Sequence, residues 1–391
     1  MNLDILNIDV QYFINTHLND KSTQLILSGS PFKKLTIQEL VAQIEAKKKC
    51  EIKLPTWFKT ANCYFPNKLN IEQTSSEITA QYKSDLVSGI VLIDITGGFG
   101  VDSYAFASKF KRVIHCEINR ELSLVATHNF KILGANNITT LAVDGLEYLS
   151  DTNQKFDWIY SDPSRRSETS ERVFFLNQCQ PDLTQNLDFL FKYSDHILVK
   201  LSPLLDLTKT VNDLKFVKEI HCIALQNEVK ELLFLLEKNH QNGIAIKTVN
   251  FDKKNIYKFD FQFNNTADVN YSIPLKYLYE PNAAIFKSGG FNQISERFKL
   301  LKLNPNTHLF TSNSLIDFPG RCFKILHQIA YNKKLLKMII PSAKANITVR
   351  NFPETVAQIR KKTGIKDGGN QYLFFVTDLA EKHCVLVCEK I

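Results

Sequence analysis

The chain has 391 residues, enough for two or three domains of ordinary size. At 44% hydrophobic and 23% charged, with 14 glycines and 12 prolines, it is no collagen, linker array or disordered segment. Its net charge of +8 is uneven: Pro274 to Ile391 holds 18 Lys and Arg against 8 Asp and Glu, whereas the other 273 residues hold 30 against 32.

The first residues, MNLDILNIDVQYF, show no basic n-region and no small-residue cleavage site, so a cytoplasmic protein is expected. Residues 1–85 read as helical and irregular. Leu35 to Ile44 has apolar residues at helical spacing, with Thr36 as N-cap and Glu39 completing a capping box. Lys53 to Leu69 carries Pro55 and Pro66 around Trp57, Phe58, Tyr64 and Phe65 and reads as a packed loop. A helix is predicted from Ser75 to about Leu86.

After Ser88-Gly89 the pattern changes. Ile90–Ile95 is a short continuous apolar run, the mark of a strand buried on both faces of a parallel sheet. Further strands are predicted at Val113–Ile118, Ile138–Val143, Phe156–Ser161 and His196–Leu201. Helices through Ala107, over Glu121–Leu133, around Leu146, over Leu183–Phe191 and over Leu207–Leu214 alternate with them. Ile220–Gln226 and Lys230–Leu236 follow so closely that they form an antiparallel hairpin. The expected architecture is a doubly wound, mostly parallel, seven-stranded α/β sheet.

Residues 244–263 read as a β-hairpin. Beyond Pro274, Asn346–Arg350 is a strand and Pro353–Lys362 a helix with Pro353 in its first turn. Gly364, Gly368 and Gly369 turn into strand Gln371–Thr377, which Cys384–Glu389 pairs. Three regions are expected: residues 1–85 helical, 86–252 the α/β sheet domain, and 253–391 a basic C-terminal α+β domain. All the excess positive charge lies in this last third, as when one domain docks on a polyanion; a lysine-rich solvated surface is the plainer alternative. No apolar run approaches the ~18 residues needed to span a bilayer. The eight cysteines form no CxxC pair and have no His at ligand spacing, so no metal site is expected.

The first strand ends in Asp94-Ile95-Thr96-Gly97-Gly98-Phe99-Gly100. Glycines at a strand-to-helix turn admit a ligand to the backbone and to free helix N–H groups. A dinucleotide fingerprint needs a third glycine, where this chain has Ser103. Asp94 favours the other common occupant, S-adenosylmethionine, whose amino group is a cation; a tight turn without ligand is the alternative. Glu117, followed by Ile118, closes the second strand, where a carboxylate can accept both ribose hydroxyls. Asp144-Gly145 closes the third and Ser161-Asp162-Pro163 the fourth. Any one acidic residue can be a helix N-cap, but four on consecutive strands at the carboxyl edge point to a ligand.

With these motifs, residues from about 70 to 238 resemble a class I S-adenosylmethionine-dependent methyltransferase, of the trimethylguanosine-synthase-like or N6-adenine RNA methylase type. The resemblance implies that Asp94, Thr96, Gly97, Gly98, Gly100, Glu117, Ile118, Asp144 and Gly145 hold the donor. Ser75 and Ser76, opposite the family's Thr-Pro-Glu, would meet its methionine end, and Ser75 would also cap a helix. Asp162 and Pro163 match the Asp/Asn-Pro-Pro-aromatic motif that orients an acceptor amine, whereas Ser164 and Arg165 replace its second proline and aromatic. Arg165 and Arg166 then suggest a phosphate or guanine-edge contact. Lys200, Ser202 and Glu228 would line the substrate mouth. Tyr277 to Ala284 and the β–α–β unit Lys344–Phe375 resemble a ferredoxin- or THUMP-like domain, a module associated with RNA binding. An S-adenosylmethionine-dependent RNA methylase, acting on an exocyclic amine, is thus expected. A small-molecule or protein methyltransferase, a DNA enzyme, and a non-catalytic RNA-binding protein on the same scaffold are the alternatives.

Overall fold

The computed structural model describes residues 1–165, 175–253 and 255–391. The chain divides into two compact units, Met1–Lys218 with Leu233–Asn242, and Glu219–Leu232 with Gly243–Ile391.

The first unit begins with helices α1 (Ile8–Thr16), α2 (Ser22–Ser28) and α3 (Ile37–Lys53). The capping box forms as expected: the Thr36 hydroxyl accepts from the Glu39 N–H, and the Glu39 carboxylate accepts from the Thr36 N–H. Ile37, Leu40, Val41 and Ile44 form the buried stripe of α3, against Ile5, Val10, Ile14 and Leu25. The segment read as a loop contains α4 (Pro55–Lys59), where Pro55 occupies the first helical turn that its fixed φ suits. It ends at α5 (Lys68–Gln73), capped by Asn67. Helix α6 (Glu77–Ser84) starts later than predicted because Ser76, not Ser75, supplies the capping hydroxyl.

The expected alternation follows: β1 (Gly89–Asp94), α7 (Val101–Phe106), β2 (Phe110–Cys116), α8 (Arg120–Ile132), β3 (Ile138–Leu141), α9 (Gly145–Asp151) and β4 (Trp158–Ser161). Two short strands, β5 (Ser164–Arg165) and β6 (Cys179–Gln180), pair antiparallel. Then come α10 (Leu183–Leu190), β7 (His196–Leu201), α11 (Leu207–Asp213), β8 (Val217–Leu225) and β9 (Glu228–Glu237). In this unit the order is β9-β7-β4-β1-β2-β3, and β1 lies parallel to both β2 and β4. Leu92 and Ile93 are fully buried, as the apolar run predicts, whereas Ile90 at the start of the strand is 59% exposed. The order reverses between β1 and β4, the switch point that opens a crevice at the strands' carboxyl ends.

In the second unit Glu219–Leu225 and Glu228–Leu232 form a hairpin whose turn residues, Gln226 and Asn227, have φ of 49° and 65°. The predicted 244–263 hairpin is β10 (Ala245–Phe251) with β11 (Ile256–Gln262), and β10 also runs parallel to β8. Within this unit these strands run in the order β11-β10-β8-β9, of which β10 and β11 are two more than the sequence reading placed in the sheet domain.

The remaining elements are β12 (Tyr277–Pro281), α12 (Ala283–Ser288), α13 (Phe291–Phe298), β13 (Leu301–Lys302), β14 (Phe310–Ser312), β15 (Gly320–Ala330), α14 (Lys333–Ile339), β16 (Asn346–Arg350), α15 (Val356–Thr363), β17 (Gln371–Thr377) and β18 (His383–Lys390). Their strands form a sheet of order β13-β14-β12-β15-β18-β17-β16, the anticipated α+β domain. Helix α15 begins after Pro353, because Thr355 caps it in a box with Gln358. Among the described residues no helix is long and apolar enough to cross a membrane.

Candidate functional site

Every residue of the crevice at the β1–β4 switch point described below lies in the first unit. Asp94, only 1% exposed, ends β1. Its Oδ1 accepts the Thr96 N–H at 3.0 Å and its Oδ2 the Ser103 hydroxyl at 2.6 Å. Burial pushes this carboxyl up to about 7, against those hydrogen bonds. The glycines after it are demanded by packing. A Cβ on Gly97 would meet His115 Nε2 at 2.3 Å, and one on Gly100 would meet Phe130 Cζ at 2.3 Å. Gly100 also has φ +87°, which L side chains rarely adopt. His115 is a core residue as expected, with burial pushing its imidazole down to about 4.

Glu117 is fixed at the mouth of this turn, its Oε2 accepting the Gly98 N–H at 2.8 Å and its Oε1 the Asn119 N–H at 2.7 Å. Beside it Ile118 is 69% exposed, a large apolar side chain left open at the strand edge. Asp144 caps α9, accepting the Leu146 and Glu147 N–H groups at 2.7 and 3.2 Å. Gly145 packs so closely that a Cβ would lie 2.5 Å from the Ile95 carbonyl oxygen. Asp144 also lines a cavity of about 300 Å³ with Ile95, Leu146, Gln180, Pro181, Gln185 and Asn186. Asp182 completes the lining, which is mostly polar: two carboxylates and three side-chain amides that could hydrogen-bond a ring edge, around the apolar Ile95, Leu146 and Pro181.

On the other side of the turn lies a buried polar network. The Asp162 N–H donates to Thr96 Oγ1 at 2.7 Å, and the Asp162 carboxylate pairs directly with Lys200. Burial raises the Asp162 pKa although Lys200 opposes it. The Lys200 ammonium also lies 3.4 Å from Ser75 Oγ. Ser75 donates to Asp102 Oδ2 at 2.9 Å and accepts from the Lys83 ammonium at 3.1 Å. Lys83 sits 3.2 Å from Asp102 Oδ1, and the Tyr160 hydroxyl donates to Asp102 Oδ2 at 2.7 Å. Burial would push the Asp102 carboxyl up, but Lys83 and Lys200 hold it below its ordinary value.

The structure thus brings Asp94, Thr96, Asp162, Lys200 and Ser75 into one chain of contacts. Asp102, Lys83 and Tyr160, which sequence reasoning missed, complete it. The one sequence signal was Lys83 itself, a lysine on the inward face of α6 beside Thr79 and Ala80. Ser75 turns to this network instead of capping α6, and Ser76 is the cap. Pro163 is half-buried, and Ser202 accepts the Leu204 N–H in a local turn. Ser164 and Arg165 pair with Gln180 and Cys179, which sets the backbone after Pro163 beside the cavity wall. Arg166 lies outside the described residues. Glu228 makes an exposed ion pair with Lys230 in the second unit. Among the described residues no His, Cys, Asp and Glu cluster has metal-binding geometry.

Residues 277–319 match a ferredoxin-like domain family and residues 320–390 a THUMP domain-like family. No curated protein sequence matches the chain. Among solved structures, a candidate methyltransferase of Porphyromonas gingivalis W83 is 31% identical, with a TM-score of 0.86 over 99% of this chain and 98% of its own. An rRNA methylase of Streptococcus thermophilus is 16% identical, with a TM-score of 0.32 over 43% of this chain and 99% of its own. A candidate methyltransferase of Streptococcus mutans in complex with SAH is 12% identical, with a TM-score of 0.31 over 41% of this chain and 96% of its own.

Proposed function

The chain belongs to the family of the P. gingivalis W83 candidate methyltransferase, and from that premise we propose that it methylates a base in RNA, with S-adenosylmethionine as donor, in the cytoplasm. One observation carries this reading: the Asp162 backbone is hydrogen-bonded to Thr96 of the glycine turn, so a donor bound at that turn would lie beside the Asp162 carboxylate.

The residues present suit the donor. Glu117 would take the ribose hydroxyls, and Asp144 with the cavity amides the adenine. Asp94 would take the methionine amino group and Ser75 its carboxylate end. The donor supplies a methyl group on a sulfonium, already a good leaving group, so the chain's task is positioning and electrostatics. An exocyclic amine is a weak nucleophile because its lone pair is delocalised into the ring. The Asp162 carboxylate and the Pro163 carbonyl, each accepting an N–H, would localise that lone pair. Asp162, whose proton affinity burial raises, would take up the released proton.

RNA as the substrate is supported by the second unit, with its THUMP domain-like segment and the chain's excess positive charge. Phosphate contacts of that kind predict affinity that falls steeply with salt. The test is transfer of a radiolabelled methyl group to total RNA from cells lacking the gene, with DNA and RNase-treated samples alongside and Glu117→Ala as the inactive control. Label in one RNA size class is expected. Calorimetric binding of S-adenosylhomocysteine without label in RNA would point to a small molecule or protein as acceptor; no binding would leave only a scaffold.

A further inference from the structure

Lys200 stands where two functions meet. Its ammonium pairs with the carboxylate that the reading above assigns to the acceptor, and it lies 3.4 Å from Ser75, assigned to the donor's methionine end. Lys200 holds Asp162 Oδ2, one of the two carboxylate oxygens that an acceptor N–H could use. At Ser75 two ammonium groups, Lys83 and Lys200, converge on one hydroxyl oxygen. Lys83 faces Asp102, whereas Lys200 has the longer of the two contacts to Ser75 and a flexible four-carbon stem. The side chains are buried, Lys83 fully and Lys200 nearly so, and screening there is weak. A carboxylate arriving at Ser75 would compete with Asp162 for the same ammonium.

We propose that Lys200 is a two-position residue, paired with Asp162 in the donor-free protein and turned to the donor's methionine carboxylate when the donor is bound. Both Asp162 oxygens then become open to the acceptor once the donor is seated, which favours a donor-first order. It also makes donor and acceptor binding mutually reinforcing, since coupling between two sites is reciprocal. This rests on the proposed donor site and adds to it a positioning residue and a binding sequence.

The test needs no RNA and compares two ligands by calorimetry on the full chain. S-adenosylhomocysteine carries the amino-acid carboxylate; 5′-methylthioadenosine shares its nucleoside and lacks that group. In Lys200→Met, S-adenosylhomocysteine affinity should fall about ten- to a hundredfold, the range of one charge-assisted hydrogen bond. Methylthioadenosine affinity should stay within about twofold. In Asp162→Asn, a near-isosteric change that releases Lys200, S-adenosylhomocysteine should bind several-fold more tightly, again with methylthioadenosine unmoved. A Lys200 that only supports the fold would weaken both ligands alike, and that result overturns the proposal, as does an unchanged ratio of affinities in both variants. If neither ligand binds the wild-type protein, the donor site itself is misassigned and the proposal falls with it.

Discussion

Lys83 is the residue whose replacement most directly tests the network beneath the site. Its side chain is fully buried, with the ammonium 3.2 Å from Asp102 Oδ1 and 3.1 Å from Ser75 Oγ. Lys83→Met keeps the aliphatic stem and removes the charge, leaving Asp102 as a buried carboxylate with the Ser75 and Tyr160 hydroxyls as donors. Removing one partner of a buried ion pair costs about 3–5 kcal/mol. Because both hydroxyls and the field of Lys200 remain, about 3 kcal/mol is expected. For a unit of 150–250 residues each kcal/mol shifts Tm by about 2–4 °C, so scanning calorimetry should register a fall of about 6–12 °C. The pH dependence has a defined sign. In the wild type burial pushes the Asp102 pKa up but the lysines outweigh it, so its contribution is present above the unfolded value and lost as pH falls through the folded one. Without Lys83 the folded pKa rises, and stability is instead lost as pH increases. The deficit should therefore be larger at pH 8 than at pH 5, and adding Asp102→Asn should recover most of it. A Tm within about 2 °C of wild type at both pH values, with additive single effects, would refute this reasoning.

Asp94, with its folded pKa pushed up to about 7 by burial, gives stability that is full below its ordinary value of 3.8 and lost as pH rises through about 7. A series of melts across that window should show the slope in the wild type, and Asp94→Asn should flatten it. Gly100→Ala combines a Cβ 2.3 Å from Phe130 with a left-handed backbone, for a loss of about 2–4 kcal/mol. Denaturant titration should show Phe130→Leu relieving the steric part and leaving the backbone part. In the second unit Glu280, 2% exposed, accepts from Arg321 at 2.7 Å and Arg350 at 2.8 Å. Glu280→Gln strands two cations, though each is about a third exposed and screened, so about 3 kcal/mol is expected. Limited proteolysis should then cut within residues 243–391 faster than in the wild type.

What was legible in the sequence was local. His196–Leu201, Asn346–Arg350 and Gln371–Thr377 fall where they were expected, because each is an apolar or β-branched run bounded by turn residues. Thr36 and Glu39 form their box because capping depends on four consecutive residues. Proline misled in both directions. Pro55 reads as a loop marker but starts a helix, and Pro353 reads as a helix start but precedes the true cap, Thr355. The Asp102–Lys83–Tyr160 cluster had no signature beyond the inward-facing Lys83, since its members sit on three elements and meet only through tertiary packing. The cavity wall from Gln180 to Asn186 escaped notice for a related reason: a polar stretch leading into α10 becomes a wall only when Ser164 and Arg165 pair with β6.

The way the two units share the chain bears on how the protein is made. The polypeptide passes between them after Lys218, after Leu232 and after Asn242, and two of those passages fall inside β8 and beside the middle of β9. During synthesis Glu219–Leu232, a part of the second unit, leaves the ribosome before Leu233–Asn242, the last piece of the first. Neither unit can therefore be completed as an uninterrupted stretch of nascent chain, in contrast to domains that fold one after another from the N-terminus. No single cut in a loop yields both units whole. A truncation at residue 242 removes the C-terminal strands but keeps β8 and β9, whereas one at residue 218 costs the first unit its final strand.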